Sequence, residues 1–326
     1  MAAIFNPNEA AAKDSGIFGL PYHVEEAKLV LLPVPWEATT SYGGGTSRAP
    51  QAIFQASKQI DLFDFELGNF FEAGIAMSPE SSMLKKWNHE AKSAAQNHMT
   101  EIVNSYSDKV NDFVYQETKK LLAAGKLMGL IGGDHSSPFG AIKAFLEHYP
   151  NMSILHFDAH ADLRKAYEGF EDSHASIMHN VISKTTLKKL VQVGIRDFCE
   201  DELKFIQENS SRIVTFFDAE MIEKKMNGKM FSAICDEIVS HLSSEVYVSF
   251  DIDGLDPRFC PNTGTPVPGG LDYNEALYLL KKVMRSGKKI IGFDLCEVSL
   301  GEKDIDTEWD ANVGARLLYK LCGYTL

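Results

Sequence analysis

The chain has 326 residues, 44% hydrophobic and 10% aromatic, enough apolar material for a large core and too much for a disordered chain. Forty-five Asp and Glu against 32 Lys and Arg give a net charge of −13. That balance disfavours nucleic acid and anionic membrane surfaces, which are bound through basic footprints, and leaves small cationic ligands or a plain solvated acidic surface. No apolar run approaches the roughly 18 residues that span a bilayer. Met1–Pro7 lacks the basic lead into an apolar stretch that marks an export signal. Five widely spaced cysteines, Cys199, Cys235, Cys260, Cys296 and Cys322, form no C-x-x-C pair. Reduced thiols in a cytoplasmic enzyme are expected.

In chain order, short runs rich in Val, Ile, Leu and Phe alternate with longer amphipathic stretches. A strand is predicted at Lys28–Pro33, followed by a polar helical excursion over Ser82–Asn104 and a helix over Lys109–Ala124. Strands at Leu127–Ile131 and Ser153–Phe157 flank a helix at Ser136–His148, and further strands follow at Leu190–Gly194 and Arg212–Phe217. The last third reads as helix Lys229–Leu242, strand Glu245–Phe250, helix Asp272–Arg285, strand Lys289–Asp294 and helix Glu308–Leu321. Near-continuous apolar strands are covered on both faces, as in a parallel sheet. The repetition predicts one α/β domain over residues 1–326 with a doubly wound sheet.

The chemistry gathers where strands end. Leu127–Ile131 runs into Gly132-Gly133-Asp134-His135-Ser136, and Ser153–Phe157 into Asp158-Ala159-His160-Ala161-Asp162. Glu245–Phe250 runs into Asp251-Ile252-Asp253-Gly254-Leu255-Asp256-Pro257. Ligands bind at the carboxyl ends of strands in open α/β sheets, so three such turns can converge on one crevice. Residues two apart on extended backbone project to one side, which aims Asp158, His160 and Asp162 together, and likewise Asp251 and Asp253. His135 adds a sixth group.

Any one of these aspartates can be read as a helix cap. That reading does not account for acids and histidines alternating on two separate strand ends. Four carboxylates near one point repel strongly unless neutralised, and two divalent cations supply the matching charge. A mostly oxygen donor set with two imidazoles favours Mn²⁺ and keeps Ni²⁺, Co²⁺, Fe²⁺ and Zn²⁺ open. Paired metals depress the pKa of bound water, so metal-assisted hydrolysis is the predicted reaction class.

The motifs Gly-Gly-Asp-His, Asp-Ala-His-Ala-Asp and Ser-Phe-Asp-Ile-Asp-Gly-Leu-Asp-Pro, in this order, resemble the ureohydrolases, the family of arginase, agmatinase, guanidinobutyrase and formiminoglutamase. The resemblance runs from Pro33-Val34-Pro35-Trp36-Glu37 to the final helix. It implies a three-layer, doubly wound α/β fold with a mainly parallel eight-stranded sheet, two Mn²⁺ ions per chain and a homotrimer or homohexamer. It implies His135, Asp158, His160, Asp162, Asp251 and Asp253 as metal ligands, with Asp158 and Asp251 bridging. Pro261–Leu271, with Thr265 as a substrate contact, matches the loop lining the substrate cleft. His174 matches the histidine that shuttles protons, a task shared with Asp162 beside the nucleophile, and Glu297 the acid that holds a guanidinium.

Two segments depart from the family pattern: Val298-Ser299-Leu300-Gly301 after Glu297, and Met178-His179-Asn180 after His174. Tyr167-Glu168-Gly169 with Ser173-His174-Ala175 looks like agmatinase, so agmatine is the expected substrate, giving putrescine and urea. Guanidinobutyrase, arginase, guanidine hydrolase and formiminoglutamase are the alternatives, followed by a one-metal zinc deacetylase of related fold. Trp36 and Tyr42 are read either as the substrate mouth or as packing. Gly43-Gly44-Gly45 lacks a phosphate loop's Lys-Ser/Thr continuation and is read as a turn. Cys296 is read as a core thiol.

Overall fold

The structure, a computed structural model, describes residues 5–39, 44–300 and 309–326. In chain order the elements are β1 (Leu29–Pro33), α1 (Ala49–Ser57), β2 (Ile75–Met77), α2 (Ser82–Gln96), α3 (Thr100–Ala123), β3 (Leu127–Ile131) and α4 (Phe139–His148). Then come β4 (Ser153–Phe157), α5 (Ile177–Lys184), β5 (Leu190–Ile195), α6 (Glu200–Glu208), β6 (Ile213–Phe217), α7 (Asp218–Met226) and α8 (Phe231–Ser240). β7 (Glu245–Asp251), α9 (Tyr273–Arg285), β8 (Lys289–Cys296) and α10 (Trp309–Thr325) complete the set.

The eight strands form one sheet in the order β2-β1-β3-β8-β7-β4-β5-β6, and every pairing is parallel. The sequence suggests a mainly parallel sheet; it is wholly so. Alternate strand residues enter different cores. Leu29, Leu31, Leu155, Phe157 and Phe250 pack with Ile53, Ile234, Leu279 and Leu317 from α1, α8, α9 and α10. Leu32, Leu130 and Ile154 pack with Leu84, Val114, Ile142 and Val181 from α2, α3, α4 and α5. The period-two alternation of a strand thus builds two helical layers around one sheet.

Several boundaries differ from the sequence reading. β2 was not anticipated, being a three-residue edge strand with too short an apolar run to register. α3 starts at Thr100 rather than Lys109, because Val103, Ser107 and Val110 already form its buried stripe among polar neighbours. Between α2 and α3, His98 takes a φ of 56°, which breaks the predicted 82–104 excursion. α4 starts at Phe139, not Ser136, since the preceding serines are engaged by Asp134. α1, α5, α6 and α7 were also not anticipated. Glu308, the predicted start of the last helix, lies outside the described residues.

Candidate metal centre and active site

β3, β8, β7 and β4 are consecutive neighbours at the middle of the sheet, and their carboxyl ends deliver His135, Glu297, Asp251 and Asp158 to one place. Two glycines let the turns approach. A Cβ on Gly133 would sit 1.8 Å from the Trp36 carbonyl oxygen, and one on Gly254 would sit 2.7 Å from the Asp158 nitrogen. Neither position admits a side chain.

All six expected ligands come together. His135 Nδ1 lies 3.1 Å from Asp158 Oδ2, 3.1 Å from Asp162 Oδ2 and 3.3 Å from Asp251 Oδ2. His160 Nδ1 lies 3.1 Å from Asp253 Oδ2 and 3.5 Å from Asp158 Oδ1. Asp158 therefore turns one oxygen to each cluster, His135 with Asp162 on one side and His160 with Asp253 on the other. Asp251 reaches the first cluster through Oδ2, while its Oδ1 accepts the Asp253 N–H at 2.8 Å. His156 stands beside Asp158 as well, its Nε2 2.8 Å from Oδ2. The sequence reading missed it, although it lies two residues before Asp158 on the same strand face. All of these side chains are buried except His160, 24% exposed, which marks the open side.

The electrostatics demand positive charge. Burial and the neighbouring Asp158 push the Asp162 carboxyl up to about 7. Burial, then Asp253 and Asp158, push Asp251 well above the usual range. Against the upward push of burial, hydrogen bonds from His135 and His156 hold Asp158 well below it. Although burial disfavours its charge, the His160 imidazole is raised to about 12 by Asp253 and Asp158. Four mutually repelling carboxylates with two imidazoles, all but His160 buried, fit two divalent cations in donor type and in charge.

Glu297 follows β8 at a φ of 61°, and Asp162 has a φ of 54°. Such left-handed backbone costs a non-glycine residue about 1–3 kcal/mol and persists only where surroundings fix it. Around Glu297 they do: its N–H donates to Gly133 O at 2.8 Å, its carbonyl accepts from Thr263 Oγ1 at 2.8 Å, and Oε1 accepts the His135 N–H at 2.8 Å. Burial and Asp134 push its carboxyl well up.

His174 opens a short 3-10 turn, its N–H donating to Thr39 Oγ1 at 3.2 Å, and Thr39 Oγ1 donates in turn to Asp134 Oδ2 at 3.1 Å. Asp134, unanticipated in this role, thereby connects the first motif to the His174 loop; burial raises its carboxyl to about 6. The His174 ring stands edge-on to Tyr167, and burial with the nearby His160 lowers it to about 4, leaving it neutral at pH 7. His179 packs its ring on Phe205, 4.9 Å between centroids, and its N–H holds the Asp162 carbonyl.

The 261–271 loop is fastened at several points, among them the Gly270 N–H on Asp218 Oδ2 at 3.3 Å. Asn262 bonds to Asp310, Thr263 to Glu297, and Arg196 donates to the carbonyls of Val267, Asp253, Leu255 and Gly194. Arg196 was missed, and nothing in its spacing singles it out. Thr265 lies half-buried two residues beyond Thr263. Trp36 is core rather than substrate mouth, 1% exposed with its Nε1 donating to Ser136 Oγ. Gly45 turns its N–H onto the Glu37 carboxylate, whereas Tyr42 and Gly43 lie outside the described residues. Cys296 is a buried thiol, as expected.

Residues 27–323 match the Arginase family. The chain belongs to the arginase family. It is 35% identical over 279 residues to the N(1)-aminopropylagmatine ureohydrolase of Thermus thermophilus, covering 86% of this chain and 84% of that one. It is 29% identical to the agmatinase of Halalkalibacterium halodurans, covering 84% and 85%. The agmatine ureohydrolase of Thermoplasma volcanium shares its fold, with a TM-score of 0.74 at 24% identity over 93% of this chain and 92% of that one. Arginase-family enzymes are binuclear metal hydrolases, and this member is a ureohydrolase that cleaves a guanidino C–N bond. The deacetylase reading falls with that assignment. Among the described residues no helix is long and apolar enough to cross a membrane.

Proposed function

We propose that the whole chain acts as one unit on agmatine and N(1)-aminopropylagmatine, adding water to the guanidinium carbon to release urea and the corresponding amine. One observation about the open side of the centre carries the choice of a cationic tail. Asp197, its side chain 67% exposed, stands 3.9 Å from His160 Nε2, so its carboxylate borders the open side of the centre. A second ammonium is attracted there, and a carboxylate tail, as in 4-guanidinobutyrate, is repelled. The names of the two relatives above agree with a cationic tail.

His135 and Asp162 would hold one ion, and His160 and Asp253 the other, with Asp158 and Asp251 shared between them. Two divalent ions, Mn²⁺ by the oxygen-rich donor set, would when bound supply the positive charge that makes water nucleophilic at neutral pH. Glu297 holds the planar guanidinium by charge-assisted hydrogen bonds. Asp162 and the neutral His174 move protons to the departing amine as the C–N bond breaks. Thr265 contributes to the cleft wall. The free cysteines, four of them buried, support a reducing cytoplasmic setting. Likeness to the family supports a homotrimer or homohexamer, which light scattering on the eluting protein would read.

The test is urea release from agmatine, N(1)-aminopropylagmatine, arginine, 4-guanidinobutyrate, guanidine and formiminoglutamate, each with Mn²⁺ and with Ni²⁺. The two cationic amines with Mn²⁺ should lead. Higher kcat/KM with arginine or 4-guanidinobutyrate would overturn the assignment, and a Ni²⁺-dependent preference for guanidine would move it to that compound.

A further inference from the structure

Three strands meet in register beside the centre. His156 on β4 pairs with Gln192 on β5, and Gln192 pairs with Thr215 on the edge strand β6. Side chains at paired positions share a sheet face and touch laterally. Here they form one chain of hydrogen bonds. Thr215 Oγ1 lies 3.0 Å from Gln192 Oε1, Gln192 Nε2 lies 3.1 Å from His156 Nδ1, and His156 Nε2 lies 2.8 Å from Asp158 Oδ2. Gln192 and His156 are completely buried.

The direction of that chain follows from one carbonyl. Gln192 Nε2 also lies 2.8 Å from the oxygen of Ala161, which can only accept. The atom facing Ala161 is therefore the amide NH₂, and the amide orientation is settled. The same NH₂ faces His156 Nδ1, so that nitrogen accepts and the ring proton resides on Nε2. An Nε2–H facing a carboxylate donates to it. Donors thus run from the sheet edge inward and end on Asp158, whose other oxygen accepts the His160 N–H at 2.6 Å.

We propose that Thr215, Gln192 and His156 form a positioning strut that fixes the aim of the shared Asp158 carboxylate, with His156 a hydrogen-bond donor and not a metal ligand. The proposal rests on the two-metal ureohydrolase reading above. Spacing alone would group His156 with His135, Asp158 and Asp162 as a fourth donor, but a protonated Nε2 has no lone pair to give. Its value to the enzyme is geometric. A carboxylate pinned at both oxygens keeps its remaining lone pairs pointed at the two clusters. Outer partners of this sort typically contribute about 10–100-fold to metal affinity.

The experiment is chelator-competition titration with Mn²⁺ on the full chain, with elemental analysis for stoichiometry and thermal melts of the metal-free protein. Wild type should bind two ions. His156→Phe removes the donor, and His156→Gln retains an N–H near the same place. Gln192→Met and the isosteric Thr215→Val cut the strut without touching Asp158. We expect about 10–100-fold weaker binding for His156→Phe and Gln192→Met, a smaller loss for Thr215→Val, and recovery in His156→Gln. Nitrogen-15 NMR of the Zn²⁺-loaded protein should show His156 protonated at Nε2 with a bare Nδ1. Loss of one whole ion in both His156 variants, with full affinity in Gln192→Met, would make His156 a ligand and overturn the strut. So would a proton on Nδ1, or melting shifts with unchanged affinity in every variant. A wild type that binds no divalent ion would instead overturn the metal-centre reading itself.

Discussion

Glu297 Oε1 accepts the backbone N–H of His135 at 2.8 Å, so the acid assigned to the substrate is fastened to a residue assigned to a metal. The backbone on both sides of Glu297 is also held, by Gly133 and Thr263. Glu297→Gln keeps an oxygen for the His135 N–H but gives up the charge that pairs with a guanidinium. Steady-state urea kinetics should show KM raised and kcat/KM lowered by about 2–5 kcal/mol, with two metals still bound by elemental analysis. An unchanged KM would remove Glu297 from substrate binding.

Removing the metal should leave the crowded Asp162 carboxyl with a contribution to stability that falls as pH rises. In the metal-free site burial and Asp158 raise Asp162 from 3.8 to about 7. A group raised on folding binds more protons in the native state, so its stabilisation is full below the unfolded value and is lost as pH rises through the folded one. The melting temperature of chelated protein should therefore fall between about pH 4 and pH 7. Divalent metal should lift it most at the upper end of that window. A chelated protein whose melting point rises steadily to pH 7 would contradict the carboxylate crowding.

The strand ends were legible because their chemistry is local. Asp158, His160 and Asp162 alternate within five residues, and that period alone aimed them together. Glu297 and His174 were found only through the family resemblance, since a lone acid after a strand and a lone histidine in a loop carry no pattern. Gln192 and Thr215 were invisible for a different reason: they reach His156 through strand pairing, and the order β4-β5-β6 is a tertiary fact, whereas His156 itself keeps the two-residue period ahead of Asp158. Arg196 escaped likewise, because its partners are carbonyls, which every residue possesses. The edge strand β2 and the early start of α3 were lost to short or sparse apolar runs.

His174 should separate turnover from binding. Its ring is neutral at pH 7 because burial and His160 lower it to about 4, so it can accept a proton and pass it on. Its backbone, not its ring, carries the bond to Thr39, so His174→Ala should leave the loop in place. We expect kcat to drop by roughly a hundred- to ten-thousand-fold with KM and metal content little changed. Full turnover with two metals bound would end the shuttle role. His179, five residues on, would then be the next candidate for that role, and its ring, packed on Phe205, would have to move to take it.

Arg196 gives the last prediction, on how the cleft loop is held. Its guanidinium spreads over four carbonyls from three segments: Gly194, Asp253 with Leu255, and Val267. Gly270 passes so close that a Cβ there would sit 2.9 Å from the guanidinium. A lysine keeps the charge but not the planar fan of donors, so Arg196→Lys leaves carbonyls unpaired at about 1–3 kcal/mol. The loop bearing Thr263 and Thr265 is then less firmly fixed. Limited proteolysis should cut within 261–271 faster than in wild type, and kcat/KM for urea release should fall up to about a hundredfold, the order expected from a 1 Å displacement of positioning groups. Unchanged proteolysis and kinetics would show that Asn262–Asp310, Thr263–Glu297 and Gly270–Asp218 hold the loop without it.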